Sequence, residues 1–465
     1  MDIKLLRIMK KIFFIINLAL LTSFFAQCQK KYQIEAIIKD IPDNEKVVLQ
    51  KYQFDKNIPL DTVHAYNNTV SFSLHENAIP GMYKITFSKD KFIDFIFNKE
   101  DISIQSHYNS PYDSLKIIQS EENRVFYEYI KIRNQQEHKL DILYPALQQY
   151  PKTDNFYEEI VKEFKSTQEE YYVMSNDLID DKNAGFAAKF IRSDRTPMLE
   201  PKLNPKEQKK KKKNHFLDNV DFNDTLLLNS DLFPTKIIGY LSFYQNKSYT
   251  KEQMADEFIK ASDIIMMKAS VNDKVYEYAV SYLIDGFEKF GFEKVITHIA
   301  EKNYLENTCI NQERKSELQK KLDKIKKMAI GKIAPDVTIP DKDGNKITLS
   351  EIKNDFVLVV FWASWCPHCA DMLKELKDFY EKMQPDIEIL AVSIDHNKQE
   401  WVQAIEKNNY QWINVSEVKG WNGKSVDQYN VVGTPTMFLL DSNRKILAKP
   451  LNMKELFKAW MKANR

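Results

Sequence analysis

The sequence predicts a multidomain chain: a small antiparallel β domain, an α-helical middle domain and a C-terminal α/β domain. Three observations carry this. The length of 465 residues is about three times the ~150 residues of a typical domain. The apolar residues change from a period of two to a spacing of three and four near residue 120, and after Pro335 and Pro340 short apolar strands alternate with helical stretches. Hydrophobic residues make up 43% and charged residues 29%, with 67 Lys and Arg against 66 Asp and Glu. Such a chain forms globular cores and lacks the positive field of a nucleic-acid binder.

The first 28 residues read as an export signal. Lys4, Arg7, Lys10 and Lys11 precede an apolar run from Ile12 to Leu21, and the small residues Thr22, Ser23 and Ala26 follow. The run from Ile12 to Ala26 falls short of the ~20 apolar residues that span a bilayer. Cys28 stands where a lipoprotein signal places its lipidated cysteine, although Gln27 occupies the position before it, where that signal has a small side chain; cleavage near Ala26 is the other reading. Both readings place the mature chain in the cell envelope, on the periplasmic side, where disulfides persist.

Residues 30–115 alternate: Ile34, Ala36 and Ile38; Val70, Phe72 and Leu74; Tyr83, Ile85 and Phe87; Ile102 and Ile104, with Pro80-Gly81 as a turn signal. That is the pattern of a small antiparallel β domain. Residues 120–329 carry helical stripes such as Tyr157, Val161, Phe164, Tyr171 and Leu178. The run Lys209 to Lys213 has no interleaved aromatics, so it is expected to be a solvated loop and not a nucleic-acid patch. Cys309 has no neighbour that would activate it and reads as an unpaired structural cysteine.

Residues 330–465 hold the chemistry. Ten glycines occur, none in a G-x-G-x-x-G, G-x-x-x-x-G-K-[ST] or G-x-S-x-G pattern, which argues against nucleotide enzymes and serine hydrolases. The eight histidines form no H-E-x-x-H, and Cys28 and Cys309 lie too far away in sequence to complete a zinc site with a C-x-x-C, so no metal is expected. Val357 to Trp362 reads as a buried strand, Cys366 to Met383 as a helix and Ile387 to Ile394 as a second buried strand. At the first strand-to-helix junction stands Trp365-Cys366-Pro367-His368-Cys369. A cysteine at a helix N-terminus meets unpaired N–H groups and the positive end of the dipole, both of which favour thiolate, so Cys366 is the expected nucleophile. Cys369, three residues on, lies on the same face within disulfide reach and is the expected resolving thiol. Pro367 suits the first helical turn; His368, if protonated, adds positive charge beside the sulfur, and otherwise is a solvent-exposed histidine. Trp365 is expected to shield the sulfurs.

This motif, together with Val432-Gly433-Thr434-Pro435-Thr436 leading into a strand from Met437 to Leu440, resembles the thioredoxin fold. The resemblance implies that Pro435 is a cis-proline whose loop lies against the Cys366–Cys369 disulfide. It also implies that Trp365, Thr434 and Pro435 bind an extended substrate backbone. Pro435 follows Cys366 by 69 residues, and the intervening stretch from Asp386 to Tyr429 carries an extra helix and strand with Trp401 and Trp412. With Ile333-Ala334-Pro335-Asp336 and a strand from Lys346 to Leu349, this is similar to the TlpA/ResA branch of thiol-disulfide oxidoreductases. The β segment with Leu60-Asp61-Thr62 and Gly81-Met82-Tyr83, and the helical segment with Phe216-Leu217-Asp218-Asn219-Val220-Asp221 and Ile238-Gly239-Tyr240-Leu241, more faintly resemble two domains of unknown function that precede such modules in bacterial envelope proteins; neither supplies a catalytic residue.

Two positions depart from the family pattern. Val360 occupies the place of a buried acid in the strand before the motif, and Met372 the place of a glutamate three residues after the second cysteine. Proton transfer from Cys369 is then left to water, His368 or the nearby Asp371, and a slow resolving step is expected. The resemblance implies an enzyme that exchanges disulfides with protein thiols, with a membrane-linked electron donor, no nucleic-acid partner and no cofactor. The alternatives are an envelope binding or scaffold protein working through its N-terminal domains, and a peroxiredoxin-like peroxidase, whose P-x-x-x-T-x-x-C cradle is broken by Ala363.

Overall fold

Alternating apolar and polar residues give a strand one face to bury, and the strands of the first of the chain's two units, Met1–Phe243, are built on that pattern. The computed structural model describes residues 31–88, 90–180, 185–306, 319–320 and 323–464; the signal reading of residues 1–28, Cys28 and Cys309 lie outside the described residues. Strands β1 (Lys31–Lys39), β2 (Lys46–Gln53), β3 (Lys56–His64), β4 (Thr69–His75), β5 (Gly81–Ser88), β6 (Lys91–Phe97), β7 (Ile102–His107) and β8 (Lys116–Gln119) form two four-stranded sheets, ordered β4-β1-β7-β8 and β3-β2-β5-β6. Ile34, Phe72 and Ile104 of one sheet share a core with Leu49, Ile85 and Phe95 of the other. Pairing is antiparallel except between β1 and β7, where Ala36 lies opposite Ile104 in parallel register. Alternation reports which face is buried and not which way the neighbour runs, so that parallel pair has no sequence signal.

Five α-helices follow among the described residues of this unit: α1 (Glu121–Gln149), α2 (Asn155–Ile179), α3 (Phe186–Asp194), α4 (Pro205–His215) and α5 (Leu232–Ser242). The stripe Tyr157, Val161, Phe164, Tyr171 and Leu178 is buried throughout. The buried Glu122 carboxylate accepts the N–H groups of Gly185, Phe186 and Ala187 at the start of α3, placing negative charge on a helix N-terminus. The Lys209–Lys213 run, expected as a loop, is helical within α4. Asn204 accepts the N–H groups of Lys206 and Glu207 at 3.0 Å each, Glu207 reaches back to the Asn204 N–H at 3.3 Å, and Pro205 opens the helix. That capping box supplies a start signal where no apolar stripe exists, and none of the five lysines is buried.

The second unit, Tyr244–Arg465, begins with helices α6 (Lys251–Ala269), α7 (Asp273–Lys289) and α8 (Glu293–Glu306). A short antiparallel pair follows, β9 (Thr338–Pro340) with β10 (Lys346–Thr348). The central sheet has the order β13-β12-β11-β14-β15, from β11 (Phe356–Trp362), β12 (Ile387–Ser393), β13 (Ile413–Ser416), β14 (Thr436–Asp441) and β15 (Ile446–Ala448). β11, β12 and β13 run parallel, whereas β14 runs antiparallel to β11 with Val359 opposite Phe438. Helices cover the sheet: α9 (Pro367–Met383), α10 (Lys398–Asn408), α11 (Lys424–Gln428) and α12 (Met453–Ala463). Phe379 of α9 meets Trp460 of α12 edge to face at 6.1 Å, and Tyr429, just after α11, packs on Phe361 at 5.3 Å. With both faces covered, β11 reads as an unbroken apolar run and β12 as one from Ile389 to Val392. The topology also gathers three segments at one edge, because the ends of β11 and β12 and the beginning of the antiparallel β14 all lie there. Among the described residues no helix is long and apolar enough to cross a membrane.

Candidate active site

Strand β11 ends at Trp362, and the chain turns through Ala363, Ser364 and Trp365 before α9 starts at Pro367. Cys366 is therefore the residue that caps the helix. Its backbone is extended (φ −91°, ψ 110°), its N–H donates to the Ala363 carbonyl at 3.2 Å, and its Sγ accepts the Cys369 N–H at 3.3 Å. Pro367 at the first helical position has no N–H to satisfy, which leaves the remaining first-turn donors directed toward the Cys366 sulfur and carbonyl. The Cys366 carbonyl accepts the N–H groups of Cys369 at 3.1 Å and Ala370 at 3.2 Å. Both cysteines are free thiols in this structure and both are buried, Cys366 at 6% exposure and Cys369 at 0%.

The loop entering β14 closes the other side. Cys366 Sγ donates to the Thr434 carbonyl at 3.5 Å, the Thr434–Pro435 peptide is cis, and Thr436 Oγ1 donates to the Gly433 carbonyl at 2.7 Å. The fold thus brings together Cys366, Cys369, Thr434 and Pro435, which are 69 residues apart at the extremes. Trp365, Pro367 and His368 stand at the rim, exposed to water. With half of its surface open (51%), Trp365 leaves much of its ring free for contact with an arriving molecule.

Val360 is fully buried and Met372 nearly so, and Asp371 faces solvent. None of these three positions brings a carboxylate against Cys369. Burial pushes the Cys369 thiol up to about 12, and the neighbouring Cys366 sulfur adds to the rise. On its other side Cys369 has an aromatic neighbourhood. Tyr410 stacks on Trp412 at 4.8 Å and meets Trp362 edge to face at 5.7 Å, and burial, followed by the charge at Cys369, raises its phenol.

One residue that the motif does not announce is Asp395. It follows β12, is wholly buried, and its carboxylate accepts the Ser364 N–H at 3.1 Å, the Ser364 hydroxyl at 2.7 Å and the Ser393 hydroxyl at 2.7 Å. The Ile394 N–H donates to the Trp362 carbonyl at 2.8 Å, so the end of β12 is stitched to the end of β11 immediately before the motif. Asp395 ties down the loop that delivers Cys366, and an acid closing the apolar run of β12 is the signal that marks it. Among the described residues no cluster of His, Cys, Asp and Glu side chains is arranged to hold a metal ion.

A family model described as thioredoxin-like matches residues 354–446, the segment that contains this site up to the Thr434–Pro435 loop. Thiol-disulfide oxidoreductase ResA of Bacillus thuringiensis subsp. konkukian is 30% identical over 125 residues, covering 27% of this chain and 70% of the relative. ResA of Bacillus subtilis is 27% identical over 121 residues, covering 25% of this chain and 64% of its own length. Among solved structures, a thiol-disulfide oxidoreductase from Bacteroides fragilis is 31% identical with a TM-score of 0.27, covering 28% of this chain and 99% of that one. The thioredoxin domain of a thiol-disulfide oxidoreductase from Bacteroides vulgatus is 31% identical with a TM-score of 0.28, covering 30% and 99%.

Two outcomes are expected. Because the Cys369 thiol is raised to about 12 when folded and about 8.5 when unfolded, its contribution to stability is complete below pH ~8.5 and is lost as pH rises toward 12. The folded, reduced protein at pH 9 should take up iodoacetamide at Cys366 and not at Cys369, and the urea-unfolded chain at both, as read by peptide mass spectrometry. Replacing Asp395 by Ala strands the Ser364 and Ser393 donors, and urea unfolding should show a loss of about 1–3 kcal/mol.

Proposed function

We propose that this chain, which belongs to the thioredoxin-like thiol-disulfide oxidoreductases of the TlpA/ResA type, exchanges disulfides with partner proteins outside the cytoplasm through Cys366 and Cys369. The observation that carries the reading is the position of Cys366 as helix cap, with its sulfur held between the Cys369 N–H and the Thr434 carbonyl. A sulfur there is poised to attack, and a second thiol lies one helical turn away to complete the exchange.

In the reducing direction the Cys366 thiolate attacks one sulfur of the partner's disulfide. The partner's S–S bond breaks, its other sulfur leaves as a thiolate and takes a proton, and a mixed disulfide joins the two proteins. Cys369 then gives up its proton and attacks Cys366 Sγ; the mixed disulfide breaks, the partner leaves with two thiols and two added electrons, and a Cys366–Cys369 disulfide remains. The oxidising direction is the same sequence reversed. No cofactor enters either half. In the reducing direction an electron donor must regenerate the dithiol, and for an exported protein that donor is membrane-linked. The export reading of residues 1–28, with cleavage near Ala26 or a lipid at Cys28, supports an envelope location in which such partners carry disulfides.

The second half-reaction is the slow one on this reading. With Val360 and Met372 apolar and Cys369 raised to about 12, the resolving thiol must pass its proton to water or to a group reached through water. Reduction of insulin disulfides by the full chain with dithiothreitol as donor should fall to background in Cys366→Ser. When reduced Cys369→Ser, freed of dithiothreitol, is mixed with insulin, a covalent adduct should accumulate, which non-reducing electrophoresis detects and added dithiothreitol releases. Wild-type rates in Cys366→Ser, or no adduct in Cys369→Ser, overturn the assignment of the two thiols.

A further inference from the structure

The exchange reaction leaves the lysine run of the first unit without a role. From Lys202 to His215 the chain carries seven lysines and one acid, Glu207, and that acid is occupied at the start of α4 by the Asn204 N–H. Five consecutive lysines repel one another and favour an open chain, yet here they are held in a helix with a fixed orientation. Gln208, 4% exposed, turns one face of α4 inward: its Nε2 donates to the Glu200 carbonyl and its Oε1 accepts the Glu200 N–H, both at 3.2 Å. Phe216, at the end of the helix, packs on Phe243 at 5.2 Å and on Tyr240 at 6.4 Å. At about 100° per residue, the face opposite Gln208 gathers Lys206, Lys209, Lys210 and Lys213 within about 100° of arc. Lys206, Lys209 and Lys210 are exposed, and among the described residues no carboxylate lies within ion-pair distance of them.

We infer that this face of α4 docks the first unit on a bilayer surface rich in anionic phospholipid headgroups. The inference goes beyond the exchange reaction and does not depend on it. Charge complementarity carries the first part. Each lysine near an anionic bilayer is worth roughly fivefold in partitioning, and the four on this face act together. The composition of the helix selects a lipid surface over a nucleic acid. Its cations are all lysines, point charges on flexible stems, with no arginine fork for a phosphate and no aromatic ring for a base. Lys206 to Lys213 covers about 10 Å at 1.5 Å per residue, so the ammonium groups meet neighbouring headgroups of one flat surface. No Leu, Phe or Trp stands on α4, so the helix rests on the headgroups and does not insert. Chain continuity carries the rest. Cys28 precedes the first residue of β1 by three positions, and β1 and α4 belong to the same unit. On the lipidated reading of Cys28, at most about 10 Å of chain separates the bilayer from the start of β1.

The test mixes the full chain with vesicles of equal parts phosphatidylglycerol and phosphatidylethanolamine, or of phosphatidylcholine, and follows lysine acetylation by peptide mass spectrometry. The anionic vesicles should slow labelling at Lys206, Lys209, Lys210 and Lys213 several-fold, the neutral vesicles should not, and added salt should restore it. Lys342, Lys346, Lys398 and Lys407, exposed in the second unit, should label at the same rate throughout. In sedimentation, the variant Lys206→Gln, Lys209→Gln, Lys210→Gln, Lys213→Gln should bind the anionic vesicles about tenfold or more weakly than the wild type. Glutamine keeps the helix propensity of lysine, and an unchanged urea midpoint shows that the first unit is folded. The variant Lys342→Gln, Lys346→Gln, Lys398→Gln, Lys407→Gln loses the same charge and carries the same residues 1–28, and its binding should fall by less than about twofold. Equal labelling with both kinds of vesicle, or equal losses in the two variants, overturns the inference. Protection of the four lysines by single-stranded DNA or polyglutamate but not by anionic vesicles overturns the lipid assignment. Insulin reduction is read separately and should be unchanged in both variants.

Discussion

The site depends on one junction, where a fully buried strand hands over to a helix and Cys366 is left as the cap. The strand is fixed by its neighbours: β12 on one side in parallel register and β14 on the other in antiparallel register. The helix is fixed by its apolar face, with Leu373 and Leu376 in the core and Phe379 against Trp460. The short turn between them has little freedom left, and Asp395 removes most of the rest by holding Ser364. A sulfur placed by rigid elements on both sides can be held against a partner's disulfide without first paying an ordering cost.

The same junction explains the asymmetry of the two thiols. Cys366 lies at the end of the helix, where free N–H groups point, and its sulfur already accepts one of them. Cys369 lies a turn deeper beneath aromatic rings, where burial disfavours the charged form. In the exchange proposed above, attack falls to Cys366 and resolution to Cys369 by depth as much as by order in the chain. The cost falls on resolution, and the apolar Val360 and Met372 do nothing to lower it.

Much of this was legible in the residues. Alternation at Ile34, Ala36 and Ile38 and the stripe through Tyr157 to Leu178 give element types, because burial on one face imposes a period. The Cys366–Cys369 spacing after an apolar strand marks the site before any fold is known, and the Thr434–Pro435 loop was found through its resemblance to a known pattern. What stayed hidden is long-range. Asp395 meets Ser364 across 31 residues, Asn430 meets Glu288 across 142 and Lys449 meets Glu293 across 156. No local period records such pairs, so they had no sequence signature. The helix over Lys209–Lys213 is a different case. Its signal, Asn204-Pro205 followed by Glu207, was present, but a caps-only helix without an apolar stripe is easily read as a loop.

Whether Cys366 and Cys369 act as one dithiol couple is decided by equilibrating the full chain in glutathione redox buffers and counting thiols by alkylation. Both thiols should disappear together along a two-electron curve, tenfold per ~30 mV, at a midpoint between about −270 and −120 mV. Two thiols that persist in fully oxidised glutathione, or a single thiol lost as a glutathione adduct with the other left free, would contradict it.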